Sequence, residues 1–263
     1  MKNKIDIVIE KIKERKRIGV MAHLVTGYPT FSLSKRIAKA LVKGGANIIE
    51  IQIPFSDPMA DGTLIVEACQ KSLDAGTRIK DSFELAKFVS KNLKTPVVLM
   101  TYANILIHMG IERFCVACKD SGVSGLIVPD LPYDTEECKT LQNYATKARV
   151  HLIYVISPAI EDNRLQEIKK LASGFIYCTS RQGTTGTGKK FAKDISLYLE
   201  RVRGGSSIPL AVGFGISSSK DLKLIKRYSE IGIIGSAIID VIRKSKNSEI
   251  VSEANKFMYK VIK

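Results

Sequence analysis

Apolar and polar positions follow two rhythms along the chain. From about Lys4 to Arg15, apolar residues at Ile5, Val8, Ile9 and Ile12 keep the spacing of one helix face. The run Ile18-Gly-Val-Met-Ala-His-Leu-Val then reads as a buried strand, Thr26-Gly-Tyr-Pro as a turn, and Ser32 to Lys43 as an amphipathic helix stopped by Gly44-Gly45. A second strand spans about Asn47 to Ile53, and Pro54, Pro58 and Gly62 turn the next stretch into a long loop. Asp81-Ser-Phe-Glu reads as a capping box, with Asp81 as the cap of a helix that runs to about Leu93. Thr95–Tyr102 is strand, Ile111–Lys119 helix, and Gly125–Asp130 strand. Asp134-Thr-Glu-Glu is a second capping box opening a helix, and Val150–Ile156 is strand. Helix from Glu161 to Ala172, strand Phe175–Thr179, helix from about Lys193 to Val202 and strand Ile208–Val212 continue the alternation. Helix Ser219–Ile225, strand Ile231–Ile234 and helices from about Ala237 to the end complete it.

The pattern therefore predicts eight strands, each followed by a helix, with strands apolar on both faces. Such strands belong in a parallel sheet covered on both sides. Eight βα units within about 250 residues are the arithmetic of a TIM (β/α)8 barrel. The expected fold is thus an α/β barrel, one domain over residues 1–263 with an extra N-terminal helix. An open doubly wound sheet is the competing arrangement. The connections from strand 2 to 3 and from strand 6 to 7 are oversized, and in a barrel both lie at the C-terminal mouth, where catalysis occurs.

The stretch Ile48-Ile-Glu-Ile-Gln-Ile-Pro-Phe-Ser-Asp-Pro-Met-Ala-Asp-Gly concentrates the candidate chemistry. Period two puts Ile48, Glu50 and Gln52 on one face of the strand and Ile49, Ile51 and Ile53 on the other. A carboxylate buried mid-strand is costly without a partner or a task. Asp57 and Asp61 leave the same strand on its loop, a layout suited to general acid–base work. A structural Glu50 paired with a neighbouring Arg or Lys is the competing reading.

Composition alters this picture little. Hydrophobic residues make up 45% and charged residues 25% of 263, ordinary globular values. The formal net charge of +15 is strongly basic. Its lysines are scattered, however, and no nucleic-acid motif accompanies them, so a solvated surface is expected rather than nucleic-acid binding. Five cysteines argue against a disulfide framework, and Cys115 and Cys118 fall inside a helical pattern as buried thiols. No run is apolar and long enough for a membrane span or a signal peptide, and a cytoplasmic protein is expected.

Glycines at the ends of strands 7 and 8, in Gly213-Phe-Gly-Ile-Ser and Ile234-Gly-Ser-Ala, predict a phosphate site, with a helix from Ser236 pointing its positive end at the anion. The loop Ser180-Arg-Gln-Gly-Thr-Thr-Gly-Thr-Gly-Lys-Lys reads as a lid. Tyr102 and Tyr177 stand at or near strand ends, as walls for a flat substrate or as ordinary core packing, His23 ends strand 1 as a core or mouth residue, and Asp130 caps a loop. No strand-borne lysine offers a Schiff base, and no cluster at metal-ligand spacing appears. An unassisted acid–base mechanism remains.

The run from Glu50 to Gly62 resembles the signature of the tryptophan synthase α family, usually E-L-G-[VI]-P-F-S-D-P-x-A-D-G. Leu24-Val-Thr-Gly-Tyr-Pro, Leu99-Met-Thr-Tyr-Ala-Asn, Leu126-Ile-Val-Pro-Asp-Leu-Pro, Tyr177-Cys-Thr-Ser-Arg-Gln-Gly-Thr-Thr-Gly and Gly213-Phe-Gly-Ile-Ser fit the same family across nearly the whole chain. The resemblance implies a barrel lyase that splits indole-3-glycerol phosphate into indole and glyceraldehyde 3-phosphate. It implies Glu50 as the acid–base and Asp61 as the carboxylate that receives the indole N–H. Thr185 matches the lid threonine, Gly186, Phe214, Gly215, Gly235 and Ser236 match the phosphate contacts, and Tyr177 matches a neighbour of Glu50. Asp57, Pro58, Asn104 and Pro132 match the surface that docks a β subunit in an α2β2 heterotetramer. Pyridoxal phosphate belongs to that β subunit, and no cofactor or metal is expected in this chain. Two departures stand out: Gln52 replaces the usual Gly beside Glu50, within reach of it or of the indole, and Thr63-Leu-Ile-Val replaces Pro-Thr-Ile-Gln. An indole-glycerol-phosphate synthase relative, and a catalytically weak α-like subunit that activates a β partner, are the alternatives.

Overall fold

A computed structural model describes residues 2–179, 189–213 and 215–263, the side chains of 189–194 excepted. In chain order its elements begin with α1 (Lys4–Glu14), β1 (Gly19–Val25), α2 (Phe31–Lys43), β2 (Ile48–Gln52), α3 (Thr63–Asp74), α4 (Ile79–Asn92) and β3 (Val97–Met100). Then come α5 (Ala103–Met109), α6 (Ile111–Ser121), β4 (Gly125–Ile127), α7 (Glu136–Ala148), β5 (His151–Ile153), β6 (Val155–Ile156), α8 (Asp162–Leu171) and β7 (Ile176–Thr179). The last are α9 (Lys189–Arg203), β8 (Leu210–Gly213), α10 (Ser219–Ile225), β9 (Ile231–Ile234), α11 (Ser236–Lys244) and α12 (Ile250–Ile262).

The strands pair in the order β5-β4-β3-β2-β1-β9-β8-β7-β6, every pairing parallel. The expected single strand Val150–Ile156 is divided at Tyr154. Its first part pairs only with β4 and its second only with β7, which brings the two ends of the ladder together as a barrel. The division arises from pairing with different neighbours, which an unbroken apolar run does not reveal.

The strands separate two apolar layers, as period-two alternation requires. Met21, Ile48, Val98, Met100, Ile127, Ile153, Ala211, Ile231 and Ile233 fill the barrel interior. Val20, Ala22, Leu24, Ile49, Ile51 and Ile53 face outward, under the helices. Helix α1 adds Ile5, Ile9 and Ile12 to the inner layer and closes the end of the barrel where the strands begin. The opposite end, free of such a plug among the described residues, holds the polar groups.

Four local expectations need correction. The long loop after β2 contains α3, whose Ala68, Cys69 and Ser72 are buried with Leu64 and Ile65 packed against the core. A helix face at that spacing outweighs the loop signals of Pro58 and Gly62, and Gly62 becomes the helix cap. Helix α5 likewise fills the segment after β3, burying Leu106. Helix α4 starts at Ile79 with Arg78 as its cap; Asp81 sits inside the first turn and accepts from the Arg78 N–H at 2.7 Å, while Glu84 pairs with Lys35. Thr135, not Asp134, caps α7, its hydroxyl accepting from the Cys138 N–H at 3.2 Å. Cys115 and Cys118 are free and buried, as expected, and so are the other three cysteines. Among the described residues no helix is long and apolar enough to cross a membrane.

Candidate active site

At the C-terminal ends of the strands a cavity of about 170 Å³ is lined by His23, Glu50, Asp61, Tyr177, Gly213, Gly215, Gly235 and Ser236, among others. Its apolar walls include Ile65, Met100, Ile127, Val155, Ile216 and Ile233. A larger groove of about 460 Å³ runs between α7 and α8 and holds neither candidate carboxylate.

Glu50 is delivered inward by the same alternation that points Ile48 into the barrel, and it is 4% exposed. Parallel pairing sets His23 of β1 directly beside it. His23 is 3% exposed, and its Nδ1 lies 3.2 Å from Glu50 Oε1. The partner of Glu50 is therefore an imidazole, not the Arg or Lys of the structural reading. Burial is the largest influence on His23 and opposes its charge. The Glu50 carboxylate, through charge and hydrogen bond, and the Asp61 charge together outweigh it and raise the imidazole above its ordinary value. Neither Glu50 Oε2 nor His23 Nε2 has a hydrogen-bond partner among the described residues.

Asp61 enters from the loop between β2 and α3. Tyr102 O–H and Gln52 Nε2 both donate to its Oδ2, at 2.8 and 2.6 Å. Burial pushes the Asp61 carboxyl up, opposed by the Tyr102 hydrogen bond, the His23 charge and the Gln52 hydrogen bond. Gln52, fully buried, thus engages Asp61 rather than Glu50; its amide nitrogen also lies 3.5 Å from Cys69 Sγ. Tyr102 stands behind Asp61, outside the cavity lining. Its ring stacks on Phe55 at 5.2 Å, and its hydroxyl accepts from the Ala60 N–H at 3.2 Å.

Tyr177 lines the cavity from β7. Burial and the charges of Glu50 and Asp61 push its phenol well above the usual value, so it stays an O–H donor. Gly213 makes room for this ring, since a Cβ there would lie 2.9 Å from the Tyr177 hydroxyl. Gly215 has φ +65°, a conformation that favours glycine. Helix α11 begins at Ser236, as expected, with Gly235 before it, so its first N–H groups and positive dipole end meet the cavity.

The structure therefore brings Glu50, Asp61, Tyr177, Gly215, Gly235 and Ser236 to one cavity. Thr185, Gly186 and Phe214, with the stretch of the expected lid from Ser180 to Gly188, lie outside the described residues. Asp57, Asn104 and Pro132 are exposed, and Pro58 is buried. Asp130 accepts from the Ala103 N–H at 2.9 Å, tying the end of β4 to α5. The pairing of His23 with Glu50 was missed in the sequence. The available signal was a polar residue two positions after Met21, on the same inward face of β1.

A parallel barrel with two carboxylates and an anion-seeking helix end at its C-terminal mouth defines an acid–base enzyme of the (β/α)8-barrel class. The family model described as tryptophan synthase alpha chain matches residues 9–262, and the chain belongs to that family. It is a lyase of tryptophan biosynthesis. The tryptophan synthase alpha chain of Methanocaldococcus jannaschii is 39% identical over 93% of this chain and 87% of its own length. That of Clostridium kluyveri is 36% identical over 99% and 98%. Among solved structures, tryptophan synthase from Mycobacterium tuberculosis superposes with a TM-score of 0.89 at 28% identity, covering all of both chains. The α subunit from Legionella pneumophila gives 0.89 at 27% identity, over 98% of this chain and 97% of that one.

Proposed function

We propose that the chain cleaves indole-3-glycerol phosphate into indole and glyceraldehyde 3-phosphate, with Glu50 as acid–base and Asp61 as electrostatic partner. The observation that carries this reading is the convergence of Glu50, Asp61 and the N-terminus of α11 on one cavity. Breaking the C–C bond requires the indole ring to become an electron sink. Glu50 protonates indole C3, and the positive charge that develops at N1 is met by Asp61. Glu50 then takes the glycerol hydroxyl proton as the carbonyl forms and the C–C electron pair returns to the ring. Gly215, Gly235 and the Ser236 end of α11 hold the phosphate, while the other matches to the family's phosphate contacts, Gly186 and Phe214, lie outside the described residues. Tyr177 donates beside Glu50; Thr185, the match to the family's lid threonine, lies outside the described residues.

The reading extends to assembly. A pyridoxal-phosphate β subunit would dock on the exposed Asp57, Asn104 and Pro132, with Pro58 buried beneath that face, in an α2β2 complex of the cytoplasm. The exposed Met59 and Ile107, 90% and 52% accessible, neighbour Pro58 and Asn104 and suit such a face. No cofactor in this chain enters the scheme. A catalytically weak subunit finds no support in the site, because Gln52 is directed to Asp61 and leaves Glu50 in the cavity wall.

Indole release from indole-3-glycerol phosphate, measured for wild type and Glu50→Gln with and without the chain's own β subunit, tests this function. Wild-type turnover that rises with β and is lost in Glu50→Gln is expected. Absence of indole from the wild-type complex overturns the reading.

A further inference from the structure

We propose that His23 and Glu50 work as a proton-sharing pair, His23 being a positioning residue that stores the proton Glu50 delivers. This inference rests on the lyase reading of the cavity. Its basis is geometric. The imidazole and carboxylate are held on adjacent parallel strands at matched register, with Nδ1 and Oε1 3.2 Å apart. Both side chains line the cavity, and each is at least nine-tenths buried. His23 Nε2 has no partner among the described residues, so of these Glu50 is the one that sets the tautomer of the ring.

The reaction makes a demand that this pair meets. One group must first be an acid toward indole C3 and then a base toward the hydroxyl. In the resting state the pair holds one mobile proton, either as imidazolium with carboxylate or as imidazole with carboxylic acid. Passage across the hydrogen bond places it on Glu50, and from there it forms the C3–H bond, leaving neutral imidazole and carboxylate. The hydroxyl O–H then breaks, its proton goes to Glu50, the C=O bond forms, and the C–C pair restores the indole C2–C3 double bond. One proton leaves the pair and one returns, so the pair is regenerated without exchange with water.

The surroundings favour keeping the proton on the pair. Glu50 on β2 and Asp61 on the following loop both face His23 with negative charge. Tyr177 on β7 lines the same cavity with its phenol neutral. From β9 and α11 come Gly235 and Ser236, which carry no charge. The raised imidazole accords with this arrangement.

Two measurements on the full complex test the proposal. The first follows the His23 ring nitrogens by 15N NMR through a pH titration, in wild type and in Glu50→Gln. The expected result is protonation persisting above the ordinary histidine value of about 6.5 in wild type and shifting to lower pH in Glu50→Gln. A titration at or below that value, or one indifferent to Glu50→Gln, overturns it. The second is the pH profile of kcat for His23→Asn and His23→Gln. Asn keeps a hydrogen-bond donor but cannot carry a proton, so kcat should fall about 10-fold or more with KM changed little, and the histidine ionisation should vanish from the profile. Wild-type kcat and an unaltered profile in His23→Asn overturn the proposal while leaving the lyase reading intact. An inactive wild-type complex sinks the lyase reading, and the NMR titration still judges the shared proton.

Discussion

Gln52 Nε2 donates to Asp61 Oδ2 at 2.6 Å, on the same oxygen that accepts the Tyr102 hydroxyl at 2.8 Å. Two donors on one oxygen orient the carboxylate and favour its ionised form, and in the proposed scheme Oδ1 receives the substrate N–H. Where the family usually carries glycine, this chain carries a second holder of its electrostatic carboxylate. Gln52→Gly and Gln52→Met should therefore lower kcat/KM by about 10-fold, the scale of one hydrogen bond to a charged group. Losing a donor to the ionised form raises the Asp61 carboxyl further, so the acid limb of the kcat/KM profile should move to higher pH. Steady-state kinetics across pH check both effects.

Asp61 itself should trade stability for chemistry. Burial raises its folded value, so it binds protons more readily in the folded chain than in the unfolded one. Its cost is therefore absent below the ordinary carboxylate range and appears as pH rises through the raised folded value. Asp61→Asn should increase the thermal midpoint at neutral pH, lose that advantage on acidification through the carboxylate range, and abolish indole release. Calorimetry at several pH values, beside the activity assay, reads this out.

The thiols should be silent in the native chain. All five are buried, and burial pushes Cys115 up to about 11 and Cys69 and Cys178 up to about 12. Thiolate is the reactive form, so a disulfide reagent at neutral pH should release little colour from the folded protein. All five should react at once after unfolding in guanidinium. Rapid native labelling of Cys69, which contacts Gln52, would contradict the packing behind Asp61.

At the other end of the barrel, Ile9→Ala should cost about 2–5 kcal/mol, since it empties a buried position in the inner layer. Denaturant unfolding measures the loss. With the cavity at the opposite strand ends, KM for indole-3-glycerol phosphate should stay within about two-fold at temperatures where the variant is folded.

The barrel was legible because buried parallel strands write unbroken apolar runs, and helices between them write a different period. Less visible were features decided by contacts across the fold. Helix α3 was hidden because Pro58 and Gly62 signal a loop, whereas the apolar face formed by Leu64, Ile65, Ala68 and Cys69 is held helical by docking on the core. Glu50 and Asp61 stood out as carboxylates on and beside an apolar strand. His23 did not, because its meaning lies in the register that sets it against Glu50. Gln52 shares a strand face with Glu50, yet the loop returning Asp61 to that face decides its partner. Periodicity reports which way a side chain points, not what arrives to meet it.

The division at Tyr154 gives the cylinder a seam. No residue of the divided strand is paired on both flanks: His151–Ile153 is stitched to β4 and Val155–Ile156 to β7. The ladder is thus a ribbon rather than a hoop, buckled into a circle by the covalent backbone at one residue. Around the remaining circumference, hydrogen bonds resist splaying. At Tyr154 the two halves meet through the chain itself, its carbonyl accepting from the Tyr177 N–H at 2.9 Å, on the flank where the large groove between α7 and α8 lies.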